Sequence, residues 1–414
     1  LEVVIKTVKR RIILNKYRLQ AVVFVLVAFM SGCNEFMVVG ILPDIANHLH
    51  VSIAMVGYLV TIFATVYAIS TPIITILTSK YNRYKTILTL MGIFLIGNTL
   101  SGLATNYWMM VASRVISASV SGGIISIIMT FANQIAPEKK RANLISWIYA
   151  GFSIASVIGI PVGTTISTHY GWRYAFFTVS IISLITIVFL IWLLPRRVAQ
   201  TQGSILNQLS LLKDSRIYIA IAVVLFTAAT QYGYYTYIRP LLTSVLGFDT
   251  RYLNLLLFAL GIASVFSNRF SGTIAVHGGL QLMPKYYVTD VIILILLPSA
   301  FMNKFIGFSM LMLITMLVTL FSASMQLHFL DVAEHDYPQS MLLASSLSSI
   351  FFNFGTSLGS ATASFLVGTV GVTKISFGAA IYALFALTLL ILLNRIVTKH
   401  QRLVNKSKLM LKIK

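Results

Sequence analysis

"PRRVAQTQGSILNQLSLLKDSRIY", Pro195 to Tyr218, is the longest polar stretch that separates two apolar runs in this chain. Working outward from it, apolar segments long enough to form a membrane helix of about 20 residues recur on both sides. They fall at roughly 19–42, 54–79, 86–104, 108–131, 144–168 and 173–194 before the stretch, and at roughly 217–238, 252–272, 286–302, 305–329, 341–369 and 372–397 after it. Of the 414 residues 57% are hydrophobic and 10% charged, which is too apolar for a soluble domain of this size. The fold class is therefore an all-α membrane protein of twelve transmembrane helices, in two six-helix bundles related by pseudo-twofold symmetry. The predicted organisation is a basic N-terminus (1–18), a first bundle (19–194), a linker (195–216), a second bundle (217–397) and a basic tail (398–414).

A net charge of +21 invites a nucleic-acid reading, but the charges lie in the wrong places for one. Most of the 31 Lys and Arg fall in the tails and in alternate loops; Arg173, Arg239, Arg251, Lys304 and Lys374 fall on the opposite side, and Arg114 lies inside a span. That is the positive-inside pattern, and it predicts both termini in the cytoplasm, with lipid headgroups rather than nucleic acid against the basic tails. The acidic loop "DVAEHDYPQ", 331–339, weighs little in that rule. The first apolar run is too long for a signal-peptide core and no small-residue cleavage site follows it, so it reads as span one. One cysteine, Cys33, excludes an intramolecular disulfide and a thiolate metal cluster.

Landmarks recur between the halves. Pro43 closes span one as Pro240 closes span seven, and Gly159 and Gly163 in span five are matched by Gly355 and Gly359 in span eleven. Small residues four apart share one helix face and let a neighbouring backbone approach closely. The pairs are read as gating or structural elements of an interface between the two bundles. Pro161, between the first two glycines, removes a backbone donor and should bend span five.

Several motifs then resemble those of the major facilitator superfamily, in its twelve-helix drug:proton antiporter-1 branch, and most of all the sugar-efflux and purine-efflux permeases. "NEFMVVGILPDIA" (34–46) is similar to that branch's first-helix motif, and "SRVISASVSGG" (113–123) to its fourth-helix motif, with Arg114 as the basic residue. "GFSIASVIGIPVGTTISTHYGWRYAFF" (151–177) resembles the fifth-helix antiporter motif followed by a Gly-Trp-Arg loop, and "FFNFGTSLGS" (351–360) the eleventh-helix pattern. The resemblance implies a proton-coupled transporter working by alternating access. In the loop between spans two and three, "TILTSKYNRYK" keeps Arg83, a gating candidate, but has Ser79 at the usual acid and Asn82 at the second glycine. The fourth-helix motif has Ser117 and Ala118 where Gln and Gly are usual.

Glu35 and Arg114 are the charges that hydrocarbon cannot tolerate alone, at a cost of about 3 kcal/mol upward each. Counted from Pro43 and Tyr107, each should lie about 10–12 Å below the outer boundary. Three readings follow: a proton carrier balanced between desolvation and a nearby guanidinium, a permanent ion pair joining two helices, or a protonated acid bonded to Asn34 or a carbonyl. Substrate-binding candidates are Asn34, Phe36, Gln231, Tyr234, Gln326 and Asn353, with Asn98 by the same logic. "QYGYYTYIRP" (231–240) also reads as an interfacial aromatic belt. Asp290 reads as a headgroup-level residue near the end of span nine, and His48, His50 and His328 as solvated or interfacial. No metal site, cofactor, phosphate loop or catalytic constellation is proposed, and the chain is not read as an enzyme. The expected activity is proton-coupled export of a small organic solute, a drug or a metabolite such as a sugar or nucleoside, by a monomer. The rivals are an importer on the same fold, and a lipid flippase or non-transporting sensor.

Overall fold

The computed structural model describes residues 2–78, 81–137, 140–196, 209–276 and 279–413. Ser79 and most of the predicted linker (197–208) lie outside the described residues. Twelve helices among the described residues are long and apolar enough to cross a membrane. Their ranges are Tyr17–Leu49, Ile53–Thr78, Arg83–Leu103, Tyr107–Ala132, Asn143–Tyr170, Trp172–Leu193, Ser215–Tyr235, Thr250–Ala275, Gly279–Ala300, Lys304–Asp336, Leu343–Thr369 and Val372–Lys399, and they are numbered span one to span twelve. The chain divides into two compact units, Leu1–Gln202 with Thr250–Gly261, and Gly203–Asp249 with Ile262–Lys414.

Span one does not stop at Pro43. Its helix runs from Glu2 to Leu49 with the proline inside it. Glu35 is therefore fourteen residues from the helix end, about 21 Å, rather than the predicted 10–12 Å. Arg114 keeps its predicted place, seven residues or about 10 Å from the start of its helix at Tyr107.

Between lipid-solvated helices there is little hydrophobic drive, so close backbone approach and hydrogen bonds hold the bundle. In the first unit span five lies on span one: a Cβ placed on Gly163 would come within 2.7 Å of Met37 Cγ, and one on Gly159 within 3.2 Å of Cys33 Sγ. In the second unit span eleven lies on span seven: a Cβ on Gly355 would sit 2.1 Å from the carbonyl oxygen of Leu225, and one on Gly359 2.3 Å from that of Ala229. Each glycine pair thus packs inside its own unit. This corrects the reading of the four glycines as contacts between bundles: the small face was foreseen correctly, its partner was not.

Pro161 sits at an irregular turn of span five. A π-helical turn, Ala155–Gly159, precedes it and absorbs the interrupted hydrogen-bond ladder. Between spans five and six Gly171 takes φ +101°, a conformation that suits glycine. The turn aims Arg173 so that one guanidinium nitrogen donates to the Ala104 carbonyl at 2.8 Å and another meets His48 Nε2 at 2.6 Å, with the cation 4.6 Å from the Trp172 ring. Asn82 caps span three through Tyr84 N and Lys85 N, and donates to the Arg196 carbonyl at 3.1 Å. Arg83, the gating candidate, is half-buried beside Asn82.

Two spans of the second unit are irregular. Span nine begins at Gly279, not near 286, because Pro284 is absorbed within the helix. The donor that proline lacks would have bonded Leu280, and Asn394 of span twelve donates to that carbonyl instead, at 2.7 Å. Span ten is two helices, Lys304–Thr319 and Ser322–Asp336, broken at Leu320 and Phe321. Serines of span eight satisfy the break: Ser271 Oγ donates to the Leu320 carbonyl at 2.6 Å and accepts from Ala323 N at 3.1 Å, and Ser267 Oγ donates to the Met316 carbonyl. Irregular backbone at membrane depth survives where protein groups replace the missing bonds. At the end of this unit Arg216 pairs with Asp214 at 2.6 Å and with Asp336 of the acidic loop.

Candidate functional site

The first unit concentrates its unusual chemistry on span one. From Met30 to Leu42 every residue is buried except Glu35, which is half-buried. Over these thirteen residues the helix is open only at Glu35. Glu35 is coupled electrostatically to Arg114 of span four and Tyr67 of span two. No ion pair joins Glu35 to Arg114, so the two are neighbours without salt-bridge contact.

Arg114 is fully buried and held by another residue. Its Nη1 donates to both the main-chain oxygen and Oδ1 of Asn34, each at 2.9 Å. Its cation lies 4.1 Å from the centroid of Phe63, a contact worth about 0.5–2 kcal/mol when desolvated. Nε and Nη2 have no hydrogen-bond partner. A buried guanidinium with two unpaired donors is poised for an anion, and Glu35 is the anion it already feels. Asn34, predicted to meet substrate, is instead fully buried with its acceptor committed to Arg114. Phe36, predicted to offer its ring, is buried edge-on against Phe152 of span five at 5.2 Å. Phe63 and Tyr67 escaped the sequence reading: an aromatic in an apolar helix carries no mark of which charge it faces.

In the second unit Gln231 is half-buried on span seven. Tyr232, Tyr234, Tyr235 and Tyr237 are all buried, so they are not an interfacial belt. Tyr234 OH meets Thr315 Oγ1 at 3.2 Å and Tyr237 OH donates to Ser364 Oγ at 2.9 Å. Gln326 donates to the Ser345 carbonyl at 3.4 Å. Asn353 donates to the Ser349 carbonyl at 3.1 Å, and Asn98 of the first unit to that of Phe94 at 2.9 Å; each keeps a buried Oδ1 without partner. His328 is buried rather than interfacial, with Nε2 unpartnered, and Asp290 is fully buried rather than at headgroup level. The physical reason is the earlier start of span nine, which moves Asp290 to mid-helix.

Comparison with known proteins agrees with this architecture. Residues 24–341 match the model of the Major Facilitator Superfamily. The chain is similar to YtbD of Bacillus subtilis (strain 168), described as an uncharacterized MFS-type transporter, at 30% identity over 86% of this chain and 91% of that one. Among solved structures, a bacterial homolog of the human lysosomal transporter Spinster, inward-facing and occupied, superposes with TM-score 0.76 at 16% identity, over 91% of this chain and 96% of that one. A D-xylose-proton symporter does so with TM-score 0.72 at 13% identity, over 90% and 96%. At those identities the solved structures speak for the fold alone. Twelve helices, the matched family model and a relative of this similarity place the chain in the Major Facilitator Superfamily, whose members are membrane transporters and not enzymes.

Proposed function

We propose that this chain is a proton-coupled exporter of a small organic solute in the bacterial cytoplasmic membrane, with both termini inside and Glu35 as the group that carries the proton. The observation that supports the reading most is the single opening in the buried run Met30–Leu42, at Glu35, beside an Arg114 with two unpaired donors. Protonated, Glu35 is neutral and needs no partner. Deprotonated, it is drawn to Nε and Nη2 of Arg114, which shifts span one against span four. Solute and proton then compete for one state of that pair, which is the requirement for antiport. Gln231, Gln326 and Asn353 are the proposed polar contacts for the solute in the second unit, while Tyr234 is fully buried with its OH on Thr315. Asn34 and Phe36 support Arg114 and span five rather than the solute.

The test uses inside-out membrane vesicles energised to an acid interior, with a pH-sensitive dye, challenged in turn with amphipathic cations, sugars and nucleosides. At least one class should discharge the gradient in the wild type. Glu35→Gln should abolish gradient-driven accumulation and leave energy-independent exchange in place. Coupling that survives Glu35→Gln removes Glu35 from the mechanism, and accumulation only in right-side-out vesicles reverses the direction to import.

A further inference from the structure

Asp290 lies in the second unit, eleven residues from one end of span nine and ten from the other, about 15–16 Å from each. It is fully buried, and neither carboxyl oxygen has a hydrogen-bond partner. The ionisable groups that feel its charge are Tyr234 of span seven and Tyr287 on the next turn of its own helix. Both tyrosines are fully buried, Tyr234 bonded to Thr315 and Tyr287 to Thr227. Spans ten and twelve, also packed on span nine, hold their bases away from it: Lys304 lies over Phe248 and Phe305, His328 is coupled to Arg216 and Asp214, Tyr382 is bonded to Thr362, and Arg395 and Lys399 lie beside Pro284, six residues or about 9 Å along span nine. The break in span ten is adjacent, since Phe321 stacks on Tyr287 at 4.0 Å.

Charging a fully buried carboxyl that no cation pairs is expensive at this depth. A dehydrated metal cation would gather about six oxygens around itself, and among the described residues no group of three or more His, Cys, Asp or Glu side chains is placed to hold one. The ligand that fits is a proton. We propose that Asp290 is a proton-binding site of the second unit, distinct from Glu35. It is filled in the packing seen here and emptied when the broken span ten moves and admits water past the Tyr287–Phe321 stack. A discontinuous helix beside a mid-membrane ionisable group is where transporters of other folds place their coupling ions.

The test is infrared difference spectroscopy of the full chain in a lipid film, with the buffer exchanged from acidic to alkaline. The wild type, Asp290→Asn, Asp290→Glu and Glu35→Gln are compared. The expected result is the loss, on alkalinisation, of a protonated-carboxyl C=O band that is missing from Asp290→Asn, displaced in frequency in Asp290→Glu and retained in Glu35→Gln. Because the band is retained in Glu35→Gln, failure of the Glu35 reading and failure of this one are separable. Identical difference spectra for the wild type and Asp290→Asn overturn the proposal. So does a residue-290 band indifferent to pH, which marks a permanently neutral structural acid. A band lost on adding sodium chloride at constant pH assigns the site to a metal cation and overturns it as well. If Asp290→Asn does not fold, the displaced band of Asp290→Glu carries the assignment.

Discussion

Asn34 decides what Arg114 is free to do. By supplying two acceptors to one guanidinium nitrogen it fixes the cation in place while leaving Nε and Nη2 open. Removing the side-chain acceptor in Asn34→Ala should destabilise the purified protein by about 1–3 kcal/mol, the usual loss when a buried charged donor is orphaned; thermal unfolding in detergent measures it. Asn34→Asp should act oppositely on stability and damage function. It places a permanent anion 2.9 Å from Nη1, so Arg114 no longer needs Glu35, and the pH dependence of vesicle transport should flatten although the protein folds. A pH profile equal to the wild type's would show that Arg114 does not set the response of Glu35. Glu35 and Arg114 were legible in the sequence because a charge in an apolar run stands out by cost alone. The Asn34 contact was not, because helix periodicity gives the face a residue occupies and not the angle at which two helices cross.

At the scale of helices, the glycine pairs show what spacing can and cannot reveal. Gly-x-x-x-Gly announced a close approach in spans five and eleven, and both approaches exist, with span one and with span seven. The partner had to come from the fold. The two contacts are also unequal. A Cβ on Gly355 would meet main-chain oxygen at 2.1 Å, which cannot yield without moving span seven, whereas one on Gly163 would meet the flexible Met37 side chain at 2.7 Å. Gly355→Ala should therefore cost about 1–3 kcal/mol, as overpacking does, and lower the yield of monodisperse protein, while Gly163→Ala should be milder. Thermal unfolding of the two variants side by side checks the order; Gly163→Ala as the more damaging would contradict the contacts. Span nine was misjudged for a related reason. Pro284 and Lys285 look like a loop to any local rule, and only Asn394, far away in sequence, makes a helix through that proline affordable. That distant bond carried Asp290 from the predicted headgroup level to mid-membrane.

At the scale of the whole molecule, twelve spans were legible because length and hydropathy are local properties, while sidedness rests on where Lys and Arg fall. Sidedness matters to function: one proton moving inward through 100 mV yields about 2.3 kcal/mol, enough for a roughly fiftyfold outward gradient of a neutral solute at about 1.36 kcal/mol per tenfold, but only if the inner side is the basic one. The chain lends itself to a direct check. Its one cysteine, Cys33, is buried, and Cys33→Ala gives a cysteine-free background. Tyr81 and Gln339 are exposed in loops that the charge pattern puts inside, and Thr105 and Lys374 are exposed in loops that it puts outside. In intact cells a membrane-impermeant maleimide should label Thr105→Cys and Lys374→Cys, and should label Tyr81→Cys and Gln339→Cys only after permeabilisation. The reverse pattern turns the protein over in the membrane and makes inward proton flow drive the solute inward. Labelling that differs between two loops assigned to the same side would instead break the twelve-span order on which every depth argued for Glu35, Arg114 and Asp290 depends.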